Sequence, residues 1–272
     1  MGEMLARWKE ALEDEVPVAV ATVIDGPEEY LGGKLLVFQE EHLGGTGNED
    51  LDRAVVESAR GMLASGVTGT RHFGPRGQRR MDDVGVFIQA FAPPPAMYVF
   101  GAIDFASAVA RIGKFLGYRV TVCDARPVFA TRERFPTADE VVVAWPDEFL
   151  KSAPVDRRTV ICVLTHDPKF DVPVLKAALQ TEAGYIGAMG SRRTHDERTA
   201  RLREEGVSDE ELSRISSPIG LDIGARTPEE TAVAIAAEII ALETGHRGGR
   251  LAERKGPIHL QRYEEATTER AG

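Results

Sequence analysis

This sequence has few cysteines, no excess of basic residues and no long apolar stretches, and each of these shortages excludes a class of protein. The 272 residues include only two cysteines, and their spacing fits neither a disulfide framework nor a zinc site. Forty-three acidic residues outnumber 33 basic ones, giving a formal net charge of −10, which argues against broad binding to nucleic acid or anionic membranes. No stretch approaches the ~20 apolar residues of a membrane span, and the N-terminal residues lack the apolar core of a signal peptide. We therefore expect a cytoplasmic protein without nucleic-acid or membrane partners.

Both cysteines lie inside apolar segments. Cys123 ends the run 120–123, and Cys162 lies within 160–164. A free cysteine in such surroundings behaves as a small hydrophobe. We interpret both as buried core residues rather than as redox groups.

Three consecutive prolines at positions 93–95 mark a boundary in the chain, because proline donates no backbone hydrogen bond and favours an extended spacer. Before the boundary, the spacing of Leu5, Trp8 and Leu12 predicts a first helix, and Asn48 is placed to cap a second helix that ends near residue 64. Apolar runs predict strands over 16–24, 34–38 and 84–88. We predict a smaller α+β domain over residues 1–92.

After the prolines, strands and helices alternate regularly. We predict strands over 97–100, 119–123, 140–144, 160–164 and 185–186, and helices near 103–116, 171–182, 192–205, 208–214 and 228–243. Thr227, Pro228 and Glu230 form a capping-box pattern at the start of the last helix. This alternation is typical of the α/β class, here a Rossmann-like parallel sheet with helices on both faces. We predict this domain over residues 97–245, followed by a polar tail over 246–272.

The first candidate site is the turn at 100–106, after the first strand of this domain. In a dinucleotide-binding fold, glycines here let the backbone approach a phosphate, and an acidic residue about 20 positions later binds a ribose. Gly101 and Asp124 fit that pattern. Ile103, however, stands where a second glycine is needed, and Asp104 adds a negative charge. Ordinary NAD(P) binding stays open beside the interpretation that we favour, a Rossmann-type turn with a degraded phosphate site.

Thr165, His166 and Asp167 follow the predicted strand 160–164 directly. Ligands of open parallel sheets bind beyond the carboxyl ends of the strands, so this tripeptide is well placed for binding. His166 can act as an acid, a base or a ligand near neutral pH. The alternative is a loop histidine that only caps the next helix.

The segment 187–193, Gly-Ala-Met-Gly-Ser-Arg-Arg, also follows a predicted strand. Gly187 and Gly190 provide a turn, Ser191 a helix cap and Arg192 a positive charge beside free helix N–H groups. Arginine is otherwise disfavoured at the positive end of a helix, which indicates an oxyanion or phosphate site. The alternative is a tight turn with two solvated arginines.

The loop 218–226 precedes the capped last helix and carries Gly220, Asp222 and Arg226. Arg226 can contact an anion, or Asp222 and Arg226 can pair only with each other, and the residues leave both interpretations open. The sequence shows no hydrolase triad, metal cluster or P-loop, so we assign no catalytic or metal-binding residue.

The motifs in these turns resemble those of the XdhC/CoxI family, the accessory proteins that mature molybdenum hydroxylases. The resemblance runs through several long motifs of the C-terminal domain: Thr165-His166-Asp167, 185–193, 218–224, Arg-Thr-Pro-Glu-Glu at 226–230 and 236–241.

The resemblance implies a non-catalytic chaperone that binds molybdenum cofactor, as molybdopterin or its dinucleotide, and aids its sulfuration or its insertion into a molybdenum hydroxylase. The implied client is an apoenzyme of the xanthine dehydrogenase or carbon monoxide dehydrogenase type, with a cysteine desulfurase as a further partner and a homodimer as the assembly. The implied cofactor-binding residues are Gly101, Asp124, Thr165, His166, Asp167, Gly187, Gly190, Ser191, Arg192, Gly220, Asp222 and Arg226. The alternatives are an NAD(P)-dependent oxidoreductase, with His166 as proton donor, and a regulatory partner with a vestigial pocket.

Two places depart from the family's pattern in its N-terminal domain. Where the family has a glycine-glycine-cysteine-acidic motif, this sequence has Gly-Gly-Thr-Gly-Asn-Glu at 44–49, and a second cysteine-glycine-glycine stretch is replaced by Asp-Asp-Val-Gly at 82–85. A thiolate can bind molybdenum or handle sulfur, whereas threonine and glycine cannot. We therefore expect a divergent member that works without cysteine chemistry.

Overall fold

The computed structural model describes residues 2–74, 76–78, 81 and 83–253. Their contacts divide the chain into two compact units, one formed by residues up to Pro93 with residues 250–253, and the other by Pro94–Gly249. The expected polar tail lies outside the described residues from position 254 onwards, and so does Asp82 of the second departure from the family pattern.

The first unit is an antiparallel sheet with two helices. Its elements are α1 (Gly2–Glu13), β1 (Val18–Asp25), β2 (Lys34–Val37), β3 (His42–Gly45), α2 (Glu49–Ala64), β4 (Gly69–Phe73) and β5 (Val84–Phe91). The strand order is β3–β2–β1–β5–β4. Asn48 caps α2 as predicted, because its side chain accepts hydrogen bonds from the N–H groups of Asp50 and Leu51.

The central strand β1 is covered on both faces. Ala19, Ala21 and Val23 pack with α2, while Val18 and Val20 pack with α1, as expected from the two-residue period of a strand. Burial on both faces explains the continuous apolar run in the sequence. The strands that the pattern missed, β3 and β4, form the two edges and are only partly buried.

The second unit is the predicted Rossmann-like α/β domain. Its strands are β6 (Ala96–Phe100), β7 (Arg119–Asp124), β8 (Glu140–Val143), β9 (Val160–Val163), β10 (Tyr185–Ala188) and β11 (Ile215–Ser216). Its helices are α3 (Asp104–Phe115), α4 (Pro146–Ser152), α5 (Pro168–Leu179), α6 (Arg192–Glu204), α7 (Asp209–Leu212) and α8 (Pro228–Glu243). A short 3-10 turn, Leu251–Glu253, belongs to the first unit. The strands are parallel in the order β11–β10–β9–β6–β7–β8.

Helices cover both faces of this sheet, as predicted. Helices α3 and α8 pack on one face, and α4, α5 and α6 pack on the other. The strand order reverses between β6 and β9, which is where ligands of open parallel sheets bind. Because the strands are parallel, the loops after β6, β7, β9, β10 and β11 all leave the sheet at the same edge. Across the described ranges, none of the helices has the length and apolarity needed to cross a membrane.

Candidate functional site

The turn after β6 is closed by hydrogen bonds within the protein. Gly101 has a φ of +104°, and a Cβ there would lie 2.7 Å from Cγ2 of Thr165, so only glycine fits between the ends of β6 and β9. The N–H groups of Gly101, Ala102 and Ile103 donate to a carbonyl of β7, to Oδ2 of Asp124 and to the Gly101 carbonyl, at 2.9, 2.8 and 3.0 Å. The turn therefore offers none of these three N–H groups to a phosphate.

The carboxylate of Asp124 is buried and fully engaged at the end of β7. Its Oδ1 accepts from the backbone N–H and Nε of Arg126, both at 2.9 Å, and its Oδ2 accepts from the Ala102 N–H and from Nη2 of Arg126, both at 2.8 Å. Burial opposes the charge, but these hydrogen bonds outweigh it, and the pKa of Asp124 lies below its ordinary value. Both oxygens serve the protein, and the group that reaches the surface is Arg126, which belongs to no motif in the sequence.

The aromatic ring of Phe129 lies beside two arginines in the loop after β7. The Cζ atoms of Arg126 and Arg134 lie 4.5 and 5.5 Å from the ring centroid. Arg134 also donates to the Ala102 carbonyl at 3.1 Å. These contacts tie the loop after β7 to the turn after β6.

The three residues after β9 have three different roles. Thr165 is buried, and its hydroxyl donates to the carboxylate of Asp171. Asp167 caps α5 by accepting from the Lys169 N–H at 3.1 Å. His166 is exposed and forms no hydrogen bond with any other residue that the structure describes. The helix cap is therefore Asp167, and His166 stays accessible.

A buried ion pair connects the loops after β9, β10 and β11. Nη2 of Arg198 donates to Oδ2 of Asp171 at 2.8 Å and to the Met189 carbonyl at 2.7 Å, and Nη1 donates to the Ser217 hydroxyl at 3.3 Å. The two charged side chains are only 4% and 3% exposed. Burial raises the pKa of Asp171 to about 6, although Arg198 opposes the shift. The only sequence signal for this pair is a carboxylate inside the apolar segment 170–175.

The start of α6 combines a serine cap with two different arginines. Ser191 accepts from the Thr194 N–H at 3.2 Å. A helix leaves its first N–H groups without intrahelical partners, so those of Arg192 and Arg193 are left for a ligand or water. The side chain of Arg193 pairs with Glu197 at 2.9 Å, whereas Arg192 is exposed and forms no ion pair within the described part of the chain.

Two glycines, Gly187 within β10 and Gly190 just after it, are required by neighbouring side chains. A Cβ at Gly187 would lie 2.5 Å from Cδ1 of Ile219, and one at Gly190 would lie 2.9 Å from Cβ of Thr194. Gly190 also has a φ of +151°. Both glycines therefore allow close packing of the loops at this edge.

The loop 218–226 is fixed to the sheet through Glu238 of α8. One oxygen of this carboxylate accepts from the Gly220 N–H at 2.9 Å and from the Tyr185 hydroxyl at 2.5 Å. Asp222 and Arg226 are exposed, and their side chains form no ion pair with each other or with another charged side chain in the described ranges. Their mutual ion pair, one of the two interpretations from the sequence, is absent there. The backbone N–H of Arg226 donates to the Glu230 carboxylate at 2.7 Å.

Neither cysteine is available for chemistry. Cys123 and Cys162 are buried, as predicted, and burial raises the pKa of each thiol to about 12. Where the family has its first cysteine motif, Thr46 donates its N–H and hydroxyl to Oδ1 of Asp52, both at 2.7 Å. Among the described residues, no three His, Cys, Asp or Glu side chains group closely enough to hold a metal ion.

Fold and site together define a Rossmann-type domain whose loops at the carboxyl ends of the strands are held by internal hydrogen bonds, joined to an antiparallel α+β unit. The profile of the XdhC Rossmann domain matches residues 97–239, and that of the XdhC and CoxI family matches residues 11–74. The first match alone covers more than half of the chain. The chain belongs to the XdhC and CoxI family, as its motifs indicated.

The curated relatives align with this chain over only part of their own length. A probable xanthine dehydrogenase subunit of Bacillus subtilis (strain 168) is 34% identical over 155 residues, 57% of this chain and 45% of that protein. The molybdenum cofactor insertion chaperone PaoD of Escherichia coli (strain K12) is 30% identical over 156 residues, 57% of this chain and 42% of that protein. The uncharacterized protein YqeB of the same strain is 27% identical over 248 residues, 87% of this chain and 46% of that protein. The chain spans less than half the length of each of these relatives.

A solved structure shares the fold. A crystal structure named as a xanthine dehydrogenase from Bacillus halodurans aligns with a TM-score of 0.53, covering 88% of this chain and 96% of that one. The identity is 21%, so the likeness shows the shared fold alone.

Proposed function

We propose that this protein is an accessory factor that binds molybdenum cofactor and assists its sulfuration or its insertion into a molybdenum hydroxylase. The observation that carries the proposal is the 30% identity to PaoD, which is named a molybdenum cofactor insertion chaperone. A client apoenzyme of the xanthine dehydrogenase or carbon monoxide dehydrogenase type, a cysteine desulfurase partner, a homodimer and a cytoplasmic location belong to the same proposal. So do the domain limits 1–92 and 97–245.

The residues at the start of α6 fit the anionic part of this cofactor, a pterin that carries a phosphate or a nucleotide diphosphate. Two free N–H groups at a positive helix end and the unpaired side chain of Arg192 are donors that suit a phosphate. The other candidate residues border the same edge of the sheet. They are Thr165, His166, Gly187, Gly190 and, in the loop 218–226, Gly220, Asp222 and Arg226.

Two other chemistries find no support in the contacts at this edge. The buried thiols argue against molybdenum binding or sulfur transfer by cysteine in this chain. An NAD(P)-dependent oxidoreductase needs a turn after β6 that accepts a pyrophosphate and an acid that accepts from a ribose. The N–H groups of Gly101, Ala102 and Ile103 and the carboxylate of Asp124 are already engaged.

The test is anaerobic binding of molybdopterin and of its dinucleotide to the full chain, with NAD(P)H as a comparison. Arg192→Ala and Arg193→Ala form a matched pair, because each removes one exposed positive charge from the first turn of α6. A hydrogen bond to a charged group contributes about 1.5–3 kcal/mol, so we expect Arg192→Ala to weaken binding roughly 10- to 150-fold and Arg193→Ala to change it little. Failure to bind either form of the cofactor overturns the proposal, and equal losses in both variants overturn the assignment of Arg192.

A further inference from the structure

Arg126 is a surface arginine whose side chain is held in one orientation. It is 43% exposed, while its partner Asp124 is 3% exposed. Nε and Nη2 both donate to the Asp124 carboxylate, and Phe129 supports the guanidinium at 4.5 Å. Fixing a long exposed side chain gives up rotamer entropy. A group fixed before the ligand arrives, however, loses less entropy on binding.

Arg126 follows β7, one strand away from the crevice between β6 and β9 at which the strand order reverses. Its guanidinium is bonded to the end of β7, which neighbours β6 and the contact between Gly101 and Thr165. The hydrogen bond with Asp124 raises the pKa of Arg126, and the carboxylate of Asp167, after β9, is near enough to add to the shift. The guanidinium is therefore permanently charged and within electrostatic reach of both sides of the crevice.

One face and one nitrogen of this guanidinium are left without a contact among the described residues, and these are the parts that bind flat rings. Phe129 covers one face, and Nη1 donates to no other residue in the described part of the chain. Guanidinium planes stack on aromatic and heteroaromatic rings, and their N–H groups donate to ring carbonyls and ring nitrogens. We propose that Arg126 contacts the ligand by stacking its guanidinium on a planar heteroaromatic ring. A nucleobase and a pterin both supply such a ring. The inference rests on the proposed function only for the identity of the ligand to which the ring belongs.

The test uses the full chain and probes that contain one ring system each. Cytidine monophosphate and guanosine monophosphate supply a nucleobase, and neopterin supplies a pterin, with affinity measured by calorimetry. Arg126→Lys keeps the charge but removes the plane, and Phe129→Leu removes the support. We expect each to weaken binding of the recognised ring roughly 3- to 30-fold. Phe115→Leu, on an 86% exposed phenylalanine at the end of α3, is the control and should leave binding unchanged.

Arg126→Lys leaves the buried carboxylate of Asp124 with fewer donors, so a loss of binding needs a second check. The double variant Asp124→Asn/Arg126→Gln removes both charges and avoids an unpaired one. We expect the unfolding temperature of this double variant to stay near that of the wild-type protein and its affinity for the ring to remain below the wild-type affinity.

Loss for the nucleotides alone supports a nucleobase, and loss for neopterin alone supports the pterin. Wild-type affinity in the folded Arg126→Lys or double variant overturns the inference, as does an absence of binding of every probe to the wild-type protein. The proposed function survives those outcomes if molybdopterin binding depends on Arg192.

Discussion

Replacing Arg198 with methionine removes the positive half of a buried ion pair and keeps most of the side-chain volume. Asp171 then retains the Thr165 hydroxyl as a donor but loses its charged partner, and the Met189 carbonyl and the Ser217 hydroxyl lose theirs. Breaking a buried ion pair from one side costs about 3–5 kcal/mol. We expect Arg198→Met to lower the free energy of unfolding of the Rossmann-type unit by that amount.

Neutralising both partners separates the free-energy cost of the unpaired buried charge from the cost of the lost hydrogen bonds. Asp171→Asn/Arg198→Met leaves no unpaired charge in the core, so it should be about 1–3 kcal/mol more stable than Arg198→Met alone. Arg201→Met is the matched control, because Arg201 lies on the same helix, is exposed and forms no ion pair with another described residue. Its stability should stay within about 0.5 kcal/mol of wild type.

The two tryptophans give an assay for each unit. Trp8 lies in the first unit, and Trp145 lies in the second, with its ring centroid 5.1 Å from that of Phe170. In a Trp8→Phe background, urea unfolding followed by tryptophan fluorescence reports the second unit alone, and the free energy follows from linear extrapolation.

The pH dependence of the stability of Arg198→Met provides a result that can refute this reasoning. Burial raises the pKa of Asp171 to about 6 with Arg198 present, and removing Arg198 raises it further. A folded-state pKa above the unfolded value of about 4 means that the folded protein binds more protons, so stability rises as the pH falls from the folded-state pKa towards the unfolded value. The deficit of Arg198→Met should therefore shrink between pH 7 and pH 5. A deficit under about 1 kcal/mol at pH 7, or one that grows on acidification, would refute the reasoning.

Three further predictions concern the turn after β6, the last helix and the thiols. Gly101→Ala should destabilise about 1–3 kcal/mol more than Gly117→Ala, because both positions have positive φ but only at Gly101 would a Cβ meet the end of β9; equal urea midpoints for the two variants would contradict this. Thr227→Ala removes the capping box of α8 and should lower stability by about 1 kcal/mol, measured by the same urea unfolding, and no change would show that the cap is dispensable. The two cysteines, with pKa values raised to about 12 by burial, should resist Ellman's reagent at pH 8 until the protein is unfolded, and rapid labelling of the native protein would contradict their burial.

Local signals in the sequence predicted most of the fold. The capping box at Thr227 and the cap at Asn48 are present, since each needs only neighbouring residues. The edge strands β3, β4 and β11 were missed because partly buried strands lack a strong apolar alternation. The seven-residue helix α4 was missed as well. Helix α5 begins three residues earlier than predicted, because Asp167 caps it and Pro168 takes the first position.

The contacts that shape the candidate site were less predictable, because they join residues that are far apart in the sequence. Arg198 meets Asp171 across 27 positions, and Glu238 meets Gly220 and Tyr185. A pattern of residue types marks Asp124 as a ribose acid, yet its hydrogen bonds depend on where the Arg126 side chain folds back. Three of those hydrogen bonds come from Arg126, only two positions on, and the fourth comes from Ala102, 22 positions away, but residue types alone do not show that the arginine folds back onto the carboxylate.

The closed turn at Gly101 bears on which small molecules compete for this edge. In a dinucleotide-binding turn, free N–H groups donate to the oxygens of a pyrophosphate, whereas here the Asp124 carboxylate takes the N–H of Ala102 for itself. The protein thus carries its own anion in that place. A pyrophosphate can use this N–H group only by displacing the Asp124 carboxylate, so the turn itself disfavours the ordinary Rossmann mode of dinucleotide binding.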